Sequence, residues 1–150
     1  MACASVLMLG CWCVQEKNPA VQKKAYKVFS YLASLRPDFV ELHFEQLLDV
    51  AVTGAATAVS AAKRYRLNFL RAVMLSLVHQ PDRLRSAEAQ SALSSMVSEV
   101  VLSLKEANKK TRAEAYSLLV DLGRTMSAEM PVEGDCVGIC PRQLALLALA

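Results

Sequence analysis

Apolar residues recur at i, i+3, i+4 and i+7 along nearly all of this 150-residue chain, the period of amphipathic helices and not of strands. The breaks in that period fall where helix-ending residues stand. A first segment, about 4–15, ends at Glu16-Lys17-Asn18. Asn18 is a good N-cap, and Pro19 suits the first helical position, where its missing N–H costs nothing. That helix is expected to reach about Leu35 and stop before Pro37. Asp38-x-x-Glu41 has the form of a capping-box variant opening a helix over 39–53, with Gly54 as its stop. The small-residue loop GAATAVS leads into a helix over 61–79, ended by the turn Gln80-Pro81-Asp82. A further helix over 86–107 has Glu88 in its first turn and Lys105 in its last, as the helix dipole prefers. Asn108 caps the next, to about Leu122 before Gly123. The tail SAEMPVEGDCVGICP reads as a loop, and RQLALLALA is a candidate start of one more helix. Six helices and a fragment are expected, and no strand.

Two stretches of this pattern say nearly the same thing. NPAVQKKAY begins at Asn18 and NKKTRAEAY at Asn108, and each is followed by a similar apolar frame. The matched pairs are Glu16 with Glu106, Asn18 with Asn108, Ala25 with Ala115, Tyr26 with Tyr116 and Leu32 with Leu122; Gln22 stands where Arg112 does. Midway between them, Leu70, Val73, Met74 and Leu77 fall where Ala25, Val28, Phe29 and Leu32 stand, so the apolar frame survives there without the Asn and Tyr. A helix pair recurring every ~40–47 residues is the mark of HEAT and armadillo solenoids, in which neighbours stack to share one elongated core. The pairs would be 4–35, 39–79 and 86–122, with 123–150 as loop and partial helix of one repeat block. Three pairs is about the minimum for stability. The alternative is an ordinary helical bundle with a chance similarity.

Helical angles suggest why these residues recur. With Ala25 as origin, Val28, Phe29 and Leu32 fall within roughly 60° and are expected in the core. Ala25 and Ala115 are small where helices approach. Tyr26 and Tyr116 lie about 100° away, on a flank where the ring packs and the hydroxyl stays wet.

Composition narrows the class. With 54% apolar residues the chain can supply a sizeable core, and five Gly and five Pro are too few for a turn-rich β fold. The mean hydropathy of +0.28 raises a membrane question. The longest uncharged runs, 1–15 and 50–62, fall short of the roughly 18–20 residues a spanning helix needs. ASVLMLGCWC has the look of a signal-peptide core, but no Lys or Arg precedes it and it runs into a helical pattern, so no secretory signal is expected. Five cysteines, Cys3, Cys11, Cys13, Cys136 and Cys140, form an odd set without regular spacing, which suits a reducing compartment. Neither Cys pair has zinc-site spacing or a nearby His, so these read as small apolar filler.

No catalytic constellation is present: no Gly-rich phosphate loop, nucleophile elbow or metal-binding His spacing. His43 reads as a surface or half-buried residue of an amphipathic helix, and His79 as a helix C-terminal residue. No cofactor or metal is expected. The net charge of +3 is mild, so the placement of the basic residues matters more than their sum. Lys23, Lys24 and Lys27, then Lys63, Arg64 and Arg66, then Lys109, Lys110 and Arg112, each sit near the start of the second helix of a pair. In a stack these positions align, so the nine form a candidate basic ridge for RNA phosphates or an acidic protein tail. The alternative is an ordinary solvated face.

NPAVQKKAYKVFSYL and EVVLSLKEANKKTRAEAYSLLVDLGR resemble the HEAT-repeat region of the ribosomal-RNA-processing protein twelve family, with the stretch from Lys105 to Gly123 the more specific. YRLNFLRAVMLSLV fits the helix expected between them, and the resemblance covers about Val14 to Arg124. It implies a large helical-repeat factor of small-subunit ribosome assembly and export. Because family members are many times longer, it also implies that this chain is a fragment, an isolated repeat block or a truncated relative. A solenoid so cut exposes apolar end faces, so self-association or poor solubility is expected.

The expected fold is therefore all-α, a short right-handed HEAT-like solenoid of three helix pairs. The expected function is a non-enzymatic scaffold in ribosome biogenesis, nuclear and nucleolar with shuttling to the cytoplasm. Its expected partners are pre-ribosomal proteins or ribosomal RNA, together with nuclear transport factors, and no membrane. The competing expectation is a generic HEAT adaptor of the nuclear-transport or phosphatase-scaffold type.

Overall fold

The computed structural model describes residues Ala2–Glu129, which form an all-α fold with no strand among them. The helices are α1 (Ala2–Gln15), α2 (Pro19–Leu35), α3 (Pro37–Leu42), α4 (Phe44–Thr53), α5 (Lys63–Val78), α6 (Pro81–Leu84), α7 (Ala87–Ser103) and α8 (Lys109–Glu129). The chain divides into two compact units, Met1–Ser76 and Leu77–Ala150. The expected tail helix, with Cys136 and Cys140, lies outside the described residues.

The helix starts follow local chemistry. The Asn18 side chain accepts from the Ala20 N–H at 2.9 Å, and the Asn108 side chain accepts from the Lys110 N–H at the same 2.9 Å. The two halves of the repeat therefore open their helices by one identical act. Ser86 caps α7 by accepting from the Ala89 N–H at 3.1 Å.

Elsewhere the boundaries differ from expectation for identifiable reasons. The helix expected over 39–53 is two, α3 and α4, because His43 leaves the helical region at φ −119° and ψ 22°. The His43 ring sits 5.0 Å from that of Phe39, centroid to centroid. Asp38 and Glu41 do not form a capping box; α3 starts at Pro37, on Arg36, with no side-chain cap. The turn at Pro81 is the one-turn helix α6. α8 runs through Gly123 to Glu129. A β-carbon at Gly123 would meet nothing, and one glycine in a helix costs only about 1 kcal/mol relative to Ala.

In the first unit α1 and α2 form an antiparallel pair. Gln22 of α2 reaches Val14 of α1, while Phe29, further along α2, meets Gly10, further back along α1. Gly10 is required by that approach, since a β-carbon there would lie 3.0 Å from two further atoms of the Phe29 ring as well as overlapping its tip. Gln22 is fully buried and fully used. Its Nε2 donates to the Val14 carbonyl at 3.0 Å and the Thr57 carbonyl at 2.8 Å, and its Oε1 accepts from the Val59 N–H at 3.0 Å. α3 and α4 pack beside this pair, contributing Phe39, Val40, Phe44, Leu47 and Leu48 to the core.

Side chains of α2 and α5 meet in sequence. The Tyr26 and Phe69 rings are 6.1 Å apart and the Phe29 and Phe69 rings 5.4 Å apart. Lys23 reaches Tyr65, Tyr26 reaches Arg66 and Phe29 reaches Phe69, so the two helices advance in the same sense, about forty residues apart.

In the second unit α7 packs against α8. α7 buries Ala89, Leu93, Met96, Val97 and Val100; α8 answers with Thr111, Ala115, Leu118 and Leu122.

The two repeated helices do not bury the same face. α2 buries Gln22, Ala25, Tyr26 and Phe29, a direction turned from Ala25 towards Tyr26 by about 50°. α8 buries Thr111, Ala115, Leu118 and Leu122, turned the opposite way by about 30°. This rotation corrects two expectations. Tyr26, expected on a wet flank, is fully buried, whereas Tyr116 is 60% exposed. Val28, expected in the core, is 50% exposed.

Candidate functional site

The nine basic positions divide by unit and by environment. In the first unit Lys23, Lys24 and Lys27 are exposed on α2. The Lys23 Nζ lies 5.1 Å from the Tyr65 ring centroid and the Lys27 Nζ 5.6 Å from that of Tyr31. Lys63 and Arg64 are half-buried at the start of α5, and the Lys23–Tyr65 contact brings the first turns of α2 beside this segment.

Arg66 does not belong with them. Its side chain is fully buried, its Nη2 donating to the Ala51 carbonyl at 2.6 Å and its Nη1 to the Tyr26 hydroxyl at 3.2 Å. The guanidinium also lies 5.6 Å from the Tyr26 ring centroid. Gly54 makes room for this group: a β-carbon there would overlap the guanidinium and stand 2.6 Å from the Tyr26 hydroxyl. Arg66 is thus a structural member of the first core and is removed from the candidate ridge.

In the second unit Lys109 and Lys110 are exposed on the first turn of α8. Cations there oppose the helix dipole, so helix stability does not explain them. Arg112 is half-buried, and its Nη1 donates to the Glu106 carbonyl at 2.7 Å and the Ala107 carbonyl at 2.9 Å. It ties the start of α8 back to the turn before it, the task Gln22 performs for α2. Gln22 and Arg112 stand at equivalent positions of the repeat and both serve structure, and the burial of Gln22 is not legible in the sequence alone.

Cys11 and Cys13 are free and half-buried; burial pushes the Cys11 thiol above its ordinary range, and the nearby Asp49 carboxylate adds to the effect. Among the described residues no three His, Cys, Asp or Glu gather to hold a metal ion, and no helix is long and apolar enough to cross a membrane.

No family model and no solved structure matches this chain. Curated relatives do. It is 34% identical over 114 residues to the RRP12-like protein of Gallus gallus, 31% over 114 residues to that of Homo sapiens, and 28% over 118 residues to ribosomal RNA-processing protein 12 of Saccharomyces cerevisiae. These alignments take in 73–76% of this chain but only 8–9% of the relatives, so it spans less than a tenth of their length. Over that stretch the chain belongs to the RRP12-like family of ribosomal RNA-processing proteins, matching one short part of its members.

Proposed function

We propose that this chain is a non-enzymatic helical-repeat scaffold acting in ribosomal RNA processing and ribosome biogenesis, where it binds pre-ribosomal protein or RNA. The observation that carries the reading is the alignment of about three-quarters of the chain with relatives named for ribosomal RNA processing. Its work is then nuclear and nucleolar, with passage to the cytoplasm alongside the particles it serves.

Physical features support a scaffold in which helix pairs stack. α1 and α2 are an antiparallel pair, α7 and α8 pack together, and α2 and α5 advance side by side at a spacing close to the ~40–47 residues of HEAT-type repeats. Such arrays act by shape and charge, presenting one helix of each pair to a partner. The exposed Lys23, Lys24, Lys27, Lys109 and Lys110 give the chain cations with which to meet phosphate.

The test is sedimentation of the epitope-tagged chain from nuclear extract through a sucrose gradient. Co-migration with particles that contain small-subunit ribosomal RNA precursors is expected. Association with transport receptors or phosphatase subunits in place of those particles would replace this reading with a general adaptor.

A further inference from the structure

We infer that the outward face of α2, together with Tyr65 of α5, is a binding surface for single-stranded RNA: phosphates engage Lys23, Lys24 and Lys27 while bases stack on Tyr31 and Tyr65. The inference rests on the proposed role in ribosomal RNA processing and adds the form of RNA and the atoms that hold it.

The first observation is the segregation of charge. α2 carries three lysines, α5 carries Lys63, Arg64, Arg66 and Arg71, and neither helix contains an Asp or Glu. The sequence has no acidic residue between Glu16 and Asp38 or between Asp49 and Asp82, although fourteen stand elsewhere along it. An ordinary solvated helix mixes both signs along its surface. A single-sign face of lysines is what a polyanion requires.

The second observation is what lies between those lysines. With Lys24 as origin, Tyr31 falls about 20° away around the helix, Val28 about 40°, Lys27 about 60° and Lys23 about 100°. All five are exposed, Tyr31 to 56%. An aromatic ring therefore stands between Lys24 and Lys27, with a branched side chain on the other side of Lys24, on a face where polar residues would be expected. Leu35 continues this face one turn further and is exposed as well. Ring and cation are already in contact, Lys27 with Tyr31 and Lys23 with Tyr65. A nucleotide supplies one partner to each member of such a pair. Its phosphate draws the ammonium aside, and its base takes the ring.

This combination discriminates among polyanions. Double-stranded RNA keeps its bases stacked inside and offers phosphates and 2′-hydroxyls, so it would have no use for the rings. An acidic peptide likewise needs only the lysines. Unstacked bases use both, which is how sequence-tolerant single-strand binding proteins work.

The experiment uses the full chain and a fluorescein-labelled uridine dodecamer, followed by anisotropy over a potassium chloride series. Tyr31→Ala is expected to weaken binding about 5- to 150-fold, and Tyr31→Phe, which keeps the ring, to leave it within about twofold. Lys27→Gln should lower the magnitude of the log–log salt slope by about 0.7. Tyr31 is exposed, and an unchanged helical circular dichroism spectrum certifies each variant. Undiminished binding by Tyr31→Ala, or competition by polyglutamate as strong as by uridine oligomer, would overturn the inference and leave the ribosomal role standing. A chain that sediments with pre-ribosomal particles yet ignores the dodecamer would do the same. One that binds through Tyr31 but never sediments with those particles would overturn the ribosomal role and keep the RNA surface.

Discussion

Replacing Arg66 tests the distinction between a ridge residue and a core residue most sharply. Arg66→Ala removes a guanidinium that donates to the Ala51 carbonyl and the Tyr26 hydroxyl inside the first unit. Hydrogen bonds from a charged donor contribute about 1.5–3 kcal/mol each, and a buried acceptor left without a partner costs about 1–3 kcal/mol. Against this, the guanidinium no longer has to be stripped of water, which returns several kcal/mol. The lost side-chain volume adds a cavity. The net destabilisation is expected at about 3–4 kcal/mol, a large share of the ~5–15 kcal/mol by which domains are stable. With a urea dependence of ~2 kcal/mol per molar, within the usual range, the midpoint followed by circular dichroism falls by about 1.5–2 M. Tyr26→Phe and the double variant complete a cycle, with a coupling of about 0.5–3 kcal/mol expected for groups in direct contact. A surface arginine would give a change within about 0.5 kcal/mol and no coupling. A midpoint shift below about 0.3 M for Arg66→Ala would refute the core assignment.

Four further outcomes are expected. Phe29→Ala, which empties the contact with Gly10 and Phe69, should lower stability by about 3–5 kcal/mol in thermal unfolding, and an unchanged midpoint would contradict the packing. Asn18→Ala and Asn108→Ala should each cost about 1 kcal/mol, and clearly unequal losses would deny that the two caps are equivalent. Cys11 should be alkylated more slowly than an ordinary exposed thiol at the same pH. Because its folded value is raised by burial and then by Asp49, its contribution to stability is present below the unfolded value and fades as pH rises through the folded one. Mapping modified peptides by mass spectrometry checks this; rapid labelling of Cys11 at neutral pH would count against it. Met8, Leu9 and Trp12 stand exposed on α1, Trp12 to 67%, so the chain should self-associate in light scattering and Trp12→Glu should reduce that association; a monodisperse monomer at high concentration would exclude it.

Local chemistry was legible in the sequence and distant packing was not. Asn18 and Asn108 act on backbone groups two residues away, Pro19 stands at the first helical position, and α2 runs over the residues expected of it, Pro19–Leu35. The all-α class followed from a period that each helix states for itself. Tyr26 and Arg66 were misplaced because their burial depends on a helix some forty residues away. A helical wheel assigns each an angle but cannot know that a neighbour covers it. The same ignorance put Val28 inside, since the buried face of α2 is turned towards Tyr26 by packing partners and not by its own spacing. The break at His43 lies inside an uninterrupted apolar pattern and has no Gly or Pro to announce it. For the candidate site, the lysines of α2 and Tyr31, four residues after Lys27 on the same helix, follow from spacing, but the company of Lys23 with Tyr65 becomes visible only when α2 and α5 lie together.

The buried Gln22 has a mechanical consequence. The residues between α4 and α5 contain no regular helix and invite the description of a hinge. Yet the Thr57 carbonyl and the Val59 N–H are both bolted to one amide of α2, which also grips the end of α1. Torque applied to α5 is therefore passed to α1 and α2 and not absorbed by the connection. The Val59 amide should exchange its hydrogen with solvent at the pace of the core beneath it, and bending within this unit must be sought elsewhere than at its most loop-like segment.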